Sequence, residues 1–454
     1  MTTAATNHAS LSPLERRSIG ALASVYGLRM FGLFLLLPVL AIHAEQLGGA
    51  SPMLMGIALG IYGITQAVLQ IPFGMLSDKF GRKPIIIAGL VIFAAGSLVA
   101  AMATTIEGVI LGRALQGAGA IAAVVLALTS DLTRESQRTK AMAIIGMTIG
   151  LAFMLALIAA PTLAFWIGVR GLFVLTAVLA LVAIVMIWKI VPTPVQSTNL
   201  EVQAVPARMW SLLRDPQLLR LDIGIFILHF VLTAMFVVVP IILLEQLSLP
   251  TAAHWRVYLP ALLVSIVFMV PLIIASSRKN WVSNIFLTGV CIVLFAQCLL
   301  MWRPLGVTAM TVCLFFFFWG FNLLEAMLPS LVSRLAPAAS KGSAMGVYNT
   351  FQFLGVFFGG FIGGTIYGAF NVTAVFVICG VLLLLWGWLI LTAPPMRLLD
   401  SMVVQLSDVS RQSALLAVPG VEEAIVLAAE KTAYLKVDKS LLDMKALHAV
   451  IQHS

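Results

Sequence analysis

Apolar runs of roughly 20 residues, separated by short polar breaks, recur from residue 19 to residue 393. This recurrence constrains the chain more than any other feature. At 1.5 Å per helical residue, such a run matches the hydrocarbon thickness of a bilayer. Barrel strands would instead alternate over about ten residues, and no stretch does so. Inside hydrocarbon, backbone N–H and C=O groups must bond within their own segment, so each run is expected to be an α-helix. Only 10% of the 454 residues are charged, against roughly 25% in soluble domains. A soluble globular protein is therefore excluded.

The spans fall near 19–43, 53–74, 84–104, 109–130, 141–165 and 171–190, and again near 223–245, 257–276, 282–301, 307–332, 344–367 and 372–393. This predicts an all-α polytopic membrane protein, with twelve transmembrane helices in two six-helix halves. The expected organisation is an N-terminal half over 1–191, a linker over 192–220, a C-terminal half over 221–395 and a separate tail over 396–454. Within the linker, 207–213 sets Trp210 and Leu212 against Arg208 and Arg214, the pattern of a short interfacial helix.

The net charge of +9 is distributed unevenly. One set of loops holds Arg16, Arg17, Lys79, Arg82, Lys83, Arg134, Arg138, Lys140, Lys189, Arg208, Arg214, Arg220, Arg278, Lys279, Arg334, Lys341 and Arg397. The alternate loops hold only Arg170, Arg256 and Arg303. Such a bias marks the basic side as cytoplasmic and places both termini there. It explains the basicity without nucleic acid. Cys291, Cys298, Cys313 and Cys379 all lie inside apolar runs and none pairs at metal spacing, so they are read as small apolar side chains. No small-residue cleavage pattern follows the polar N-terminus, and no removable signal is expected.

The hydrophilic turn at 74–83 packs an acid, three bases and two glycines between two nearly charge-free runs. Gly74 and Gly81 permit tight turns or close helix approach. Asp78 lies at a span end, where an arginine or a helix N-terminus can hold it. Arg82 and Lys83 remain at headgroup level. An acid held in one state and released in another makes a conformational latch. The corresponding loop of the second half, 276–280, keeps Arg278 and Lys279 but has no acid.

The series Gly74, Leu76, Asp78, Gly81, Arg82 and Lys83 resembles the signature loop between the second and third helices of the major facilitator superfamily. Arg113, Gln116, Gly117 and Gly119 in the fourth span resemble a second motif of that family, typical of proton-coupled members. The resemblance implies alternating access, a gating role for 74–83, and a role for Arg113 and Gln116 in tuning a carboxylate's protonation. The drug:proton antiporter branch has glycines around a Gly-Pro pair in the fifth span. This chain has Ala156, Ala160, Pro161 and Ala164 there, which keeps a small-residue face but not the strict motif.

Ionisable groups inside spans are functional candidates. Glu325 and Arg29 stand out, either as members of the transport machinery or as a structural ion pair. Glu325 joins Arg113 and Gln116 as the expected proton-coupling set. Arg29, Gln66, His229, Asn322, Asn349 and Gln352 are expected to line the substrate cavity, and His229 is placed near the start of the seventh span.

The tail reads β-α-β-β-α, with strands near 402–406, 421–427 and 432–437 and helices near 409–418 and 441–452. This predicts a small α+β ferredoxin-like domain. It resembles a heavy-metal-associated domain, but its first loop, 407–413, has no cysteine. A regulatory or dimerising module is expected in place of a metal carrier. The expected function is proton-coupled export of small amphipathic or drug-like molecules. The partners are the substrate, protons and membrane lipid, with no cofactor, metal or nucleic acid, and the membrane part is expected to be monomeric. The alternatives are import of a metabolite and a transporter-like sensor. An ATP-driven pump is unsupported because no phosphate-binding Gly-rich Lys loop is present, and nothing points to an enzyme.

Overall fold

The computed structural model describes residues 11–44, 47–193, 212–276, 281–302, 306–337, 341–392, 399–406, 411–427, 432–438 and 441–452. The expected interfacial helix at 207–213 and the second-half loop at 276–280 lie almost wholly outside these residues.

The first half contains α1 (Pro13–Phe34), α2 (Leu40–Ala44), α3 (Pro52–Phe80), α4 (Arg82–Met102), α5 (Ile106–Ala118), α6 (Ala122–Asp131) and α7 (Glu135–Lys189). The second contains α8 (Pro216–Ile241), α9 (Trp255–Ser276), α10 (Val282–Met301), α11 (Val307–Leu335), α12 (Lys341–Ala369) and α13 (Val372–Thr392). Among the described residues, 10 helical segments are long and apolar enough to cross a membrane. The longest of these reverses at Gly168, whose φ of 69° and ψ of 169° interrupt α7. A positive φ of this kind strains any residue with a Cβ.

Helix ends follow local chemistry. Ser12 and Glu15 form a reciprocal capping box at the start of α1, satisfying two otherwise unpaired N–H groups. Asp215 accepts from Gln217 N at the start of α8, with Pro216 in the first turn. Because α8 begins at Pro216, His229 sits midway along it and not near its start. The hydrophilic stretch 74–83 is also more helical than expected. α3 continues through Phe80 and α4 starts at Arg82, so the reversal is confined to Gly81, with φ 93° and ψ 152°. Hydropathy locates the edge of the apolar run, but helical hydrogen bonding continues into polar residues past that edge.

The outer surface of the bundle is apolar. Val68, Leu111, Val267 and Leu384 are exposed, and the aromatic residues Trp166, Trp188, Trp302 and Trp388 stand near helix ends. Such a surface suits hydrocarbon flanked by interfacial aromatics. Cys291 and Cys298 are exposed on α10, whereas Cys313 and Cys379 are packed inside.

The two halves meet most closely along α3 and α12. A Cβ on Gly60 would lie 2.8 Å from Val356 O and 2.9 Å from Phe357 Cα, and Gly56 and Gly360 abut backbone to backbone. Side chains at these positions would hold the helices apart. Further along, Gln70 Nε2 donates to Thr350 Oγ1 at 2.7 Å. Phe153 of α7 packs on Phe318 and Phe321 of α11, with ring centroids 6.3 and 6.2 Å apart. α2 packs on α8, and the turn Thr251–Ala253 packs on α7.

The tail forms a small α+β unit: β1 (Asp400–Gln405), α14 (Gln412–Leu416), β2 (Val421–Leu427), β3 (Thr432–Val437) and α15 (Met444–Gln452). The sheet order is β1-β3-β2, with both pairs antiparallel. Leu406, Leu415, Val421, Leu435 and Leu447 contribute to its own core.

Candidate functional site

Three polar clusters lie within or against this apolar scaffold. The first surrounds Gly81. Arg82 is its centre: it pairs with Asp78 one turn earlier, donates from Nη1 to Ser77 Oγ at 2.6 Å, and donates from Nε to Asp131 Oδ2 at 3.1 Å. Lys83 Nζ donates to Val191 O at 2.7 Å. The loop thus ties α3 and α4 to the ends of α6 and α7, all in the first half. A Cβ on Gly74 would meet nothing within 4 Å. Asp131, at the end of α6, is a member of this cluster that resembles an ordinary loop acid in the sequence.

Nearby on the same base-rich face, Glu15 is 4% exposed. Its Oε1 accepts from Arg134 Nε at 2.9 Å and its Oε2 from Arg134 Nη2 at 2.8 Å. The Arg134 guanidinium is the main reason that the Glu15 carboxyl is held at about 2, below its ordinary 4.5. A carboxyl depressed in the fold stabilises it above its unfolded value and loses that contribution as pH falls. Between pH 4.5 and about 2, the wild-type protein should therefore lose thermal stability more steeply than Glu15→Gln. At neutral pH that variant should unfold more easily than the wild type. Tryptophan-fluorescence melts across pH check both; superimposable pH curves would remove Glu15 from the balance.

The second cluster is buried in the first half. α5 and α6 are two pieces of one apolar span, broken at Gly119–Ile121. Arg29 donates from Nη2 to the Gly119 carbonyl and to Gln66 Oε1, both at 3.0 Å. Its guanidinium lies 5.2 Å from the Phe93 ring centroid. The arginine thereby satisfies a carbonyl at the helix break, where irregular backbone needs protein partners. Arg29 Nε and Nη1 have no partner among the described residues, so an acceptor reaching them would be held firmly. Arg29 and Gln66, expected on the cavity wall, are 0% and 1% exposed and enclosed by α1, α3 and the helix break.

Arg113 donates from Nε to Ala58 O at 3.1 Å, from Nη2 to Leu59 O at 3.1 Å and from Nη1 to Gln116 Oε1 at 2.9 Å. It also stands 4.4 Å from the Tyr62 ring centroid. Gln116 Nε2 passes the chain on to Ser97 Oγ at 2.8 Å. The carboxylate that Arg113 was expected to tune is not among these partners; main-chain carbonyls of α3 and an aromatic face stand in its place. Arg29 and Glu325 likewise form no ion pair, because each is bonded within its own half.

The third cluster lies in the second half. Gln352 Nε2 lies 2.9 Å from His229 Nε2 and 3.3 Å from Glu325 Oε1. His229 Nδ1 lies 3.3 Å from Ile225 O. Assigning the proton to Nδ1 leaves Nε2 to accept from the amide. A direct contact of 3.9 Å joins His229 Nε2 and Glu325 Oε2. Helices α8, α11 and α12 therefore converge on one carboxylate, one imidazole and one amide. The Glu325 side chain is 36% accessible. Phe321, one turn earlier on α11, packs on Phe153 of the other half, and Glu325 Oε2 is buried without a hydrogen-bond partner among the described residues. Asn322, next to it, donates to Ser265 Oγ of α9 at 3.0 Å. Asn349 is partly buried on α12.

The tail reaches the membrane part through a buried lysine. Lys436 of β3 is 1% exposed and donates from Nζ to Ser333 O at 3.1 Å and Arg334 O at 2.8 Å. These carbonyls belong to the last turn of α11, where a cation meets the negative end of the helix dipole.

Comparison with known proteins agrees with this architecture. The model of the Major Facilitator Superfamily matches residues 22–360. The chain is 41% identical over 454 residues to the Inner membrane transport protein YajR of Escherichia coli K12, covering 99% of this chain and 100% of that one. It is 29% identical over 353 residues to the Multidrug resistance protein MdtH of Proteus mirabilis, covering 74% of this chain and 82% of that one. A solved bacterial homologue of the human lysosomal transporter Spinster superposes with a TM-score of 0.70 at 13% identity, covering 84% of this chain and 97% of that one. With its membrane-length helices, full-length transport relative and family match, the chain belongs to the major facilitator superfamily and is a membrane transporter rather than an enzyme.

Proposed function

We propose that this transporter moves small amphipathic or drug-like molecules out of the bacterial cell in exchange for protons, by alternating access. The observation that carries this reading is the convergence of His229, Gln352 and Glu325 beside the space between the halves. An intramembrane carboxylate with one face accessible can bind and release a proton while a second solute uses the same space. The apolar aromatic surroundings, Phe153, Phe318 and Phe321, suit a lipophilic substrate. The similarity to MdtH, named a multidrug resistance protein, points the same way. On this reading the chain crosses the inner membrane twelve times, counting α1 and both limbs of α7, with both termini in the cytoplasm and the base-rich loops inside. The contacts of α2 with α8 and of Thr251–Ala253 with α7 support a state closed on the outer side.

The test is reconstitution of the full-length protein in liposomes with an imposed pH gradient and a panel of lipophilic cations, neutral drugs and sugars. Gradient-dependent efflux of the lipophilic compounds supports the reading. Gradient-dependent accumulation of a sugar, with the drugs untouched, replaces it with import.

In the same reading, Asp78 and Arg82 latch the inner ends of the first half. Arg82→Ala removes the partner of Asp78, Ser77 and Asp131 together. It should lower transport rate about tenfold while changing substrate affinity less than about twofold, because the cluster lies away from the cavity. An affinity change with an unaltered maximal rate would contradict the latch. The tail, read as a ferredoxin-like regulatory domain, acts on α11 through Lys436. Lys436→Ala should alter transport rate and speed proteolytic release of the tail; an unchanged rate with a loosened tail would leave it a passive appendage.

A further inference from the structure

Asp222 is the buried acid that the clusters above do not use. It is 2% exposed in the second turn of α8. Arg220, two residues away, donates from Nη2 to Gln217 Oε1 at 2.6 Å on the same helix. No basic side chain among the described residues forms an ion pair with Asp222. A carboxylate removed from water needs a counter-cation, hydrogen-bond donors or a bound proton.

The packing of α8 on α12 shows what lies beside it. Gly355, Gly359 and Gly363 approach Phe226, Phe230 and Ala234 in turn, so each α12 residue opposes the α8 residue 129 positions earlier. By that register Tyr348 stands opposite Leu219, about 4.5 Å along the axis from Asp222 at 1.5 Å per residue. Tyr348 is 2% exposed, and its hydroxyl has no partner among the described residues. Gln352, one turn beyond Tyr348 on the same face of α12, bonds Glu325 and His229. His229 in turn lies seven residues from Asp222, on the same stripe of α8. The ionisable groups around Asp222 are therefore Asp215, Arg220 and His229 on its own helix, Tyr348 on α12 and Glu325 on α11. Trp386 of α13, which packs against Gly224, does not titrate.

We propose that Asp222 is a second proton-binding site, linked to Glu325 through the Tyr348 hydroxyl, and that the three form the inner limb of a proton path along α8 and α12. A proton entering from the Asp215 end binds the Asp222 carboxylate. A rotation of Tyr348 that brings its hydroxyl into reach of both carboxyl groups lets Oη accept that proton as its own hydroxyl proton passes to the Glu325 carboxylate, so the tyrosine ends neutral and one charge has moved. The path runs in reverse when Glu325 discharges. This inference rests on the proton-coupled reading above.

Infrared pH titration of the full-length protein in phosphatidylethanolamine–phosphatidylglycerol vesicles tests it without a known substrate. The wild type should show two titrating buried-carboxyl components. Asp222→Asn should remove one and Glu325→Gln the other, while Asp222→Glu should retain both. Tyr348→Phe should retain both but slow deuterium exchange at the Glu325 carboxyl about tenfold. Asp222→Asn with both components intact, in protein whose melt matches the wild type, overturns the proposal. So does undiminished exchange in Tyr348→Phe. If Glu325→Gln removes no component while Asp222→Asn does, the proton role of Glu325 fails and the site at Asp222 stands alone.

Discussion

Glu325→Gln is expected to abolish proton-linked transport in liposomes, lowering the gradient-driven rate by at least about a hundredfold, while insertion and folding are retained. Gln352 Nε2 approaches Glu325 Oε1 at 3.3 Å and His229 Nε2 at 2.9 Å. A glutamine at 325 keeps the carbonyl acceptor, the length and the volume, so the cluster stays assembled. What it loses is the ability to take or release a proton, and with it the means of tying substrate movement to the pH gradient. Counterflow, which exchanges substrate without net proton movement, should survive within about threefold. That contrast separates loss of coupling from loss of the binding site. A variant that still concentrates or expels substrate against its gradient under a pH gradient would remove Glu325 from the mechanism.

The same cluster shows what could be read in the amino-acid order and what could not. His229, Glu325 and Gln352 each stand out as polar residues inside apolar runs, because a polar group in hydrocarbon is costly and therefore marked. Their convergence depends on how α8, α11 and α12 pack, and residues 27 and 123 positions apart carry no local sign of contact. Asp222, Asp131 and Glu15 illustrate the opposite failure. They sit at span ends, where charges are ordinary, so hydropathy cannot tell a solvated acid from one bonded to Arg82 or Arg134. Arg29 was visible as an intramembrane base, yet its main-chain partner was hidden. Only the break between α5 and α6 exposes the Gly119 carbonyl, and apolar small residues such as Ala118, Gly119 and Ala120 do not announce a break. The succession of helices was legible because chain length and backbone hydrogen bonding in lipid leave no alternative. The three strands of the tail were legible, with limits within two residues of those seen, and so was the turn joining the last two; the pairing of the first strand with the third was not.

Gly360→Val should hold the halves apart at the end of the molecule where α3 begins and α12 finishes. Gly360 and Gly56 touch backbone to backbone, and Gly364 Cα would lie 3.1 Å from a Cβ built on Gly56. Neither helix has a side chain there that could rotate away, so the added methyl groups can be accommodated only by moving a helix. Overpacking of a close helix contact costs about 1–3 kcal/mol. Applied to one of two interconverting states, this shifts their ratio by roughly tenfold to a hundredfold. The strain falls only on the arrangement in which α3 and α12 are pressed together, so the variant should populate the alternative arrangement in which these ends separate. Spin labels at positions 48 and 370, on a background with the four cysteines replaced by serine, should report a longer distance in Gly360→Val than in the parent, and transport should fall about tenfold or more. Gly150→Val is the matched control, since a Cβ there meets nothing within 4 Å and should leave both distance and transport within about twofold. An unchanged distance in Gly360→Val, with normal transport, would show that the α3–α12 contact stays together throughout the cycle and acts as an axis about which the halves turn, not as a gate that opens.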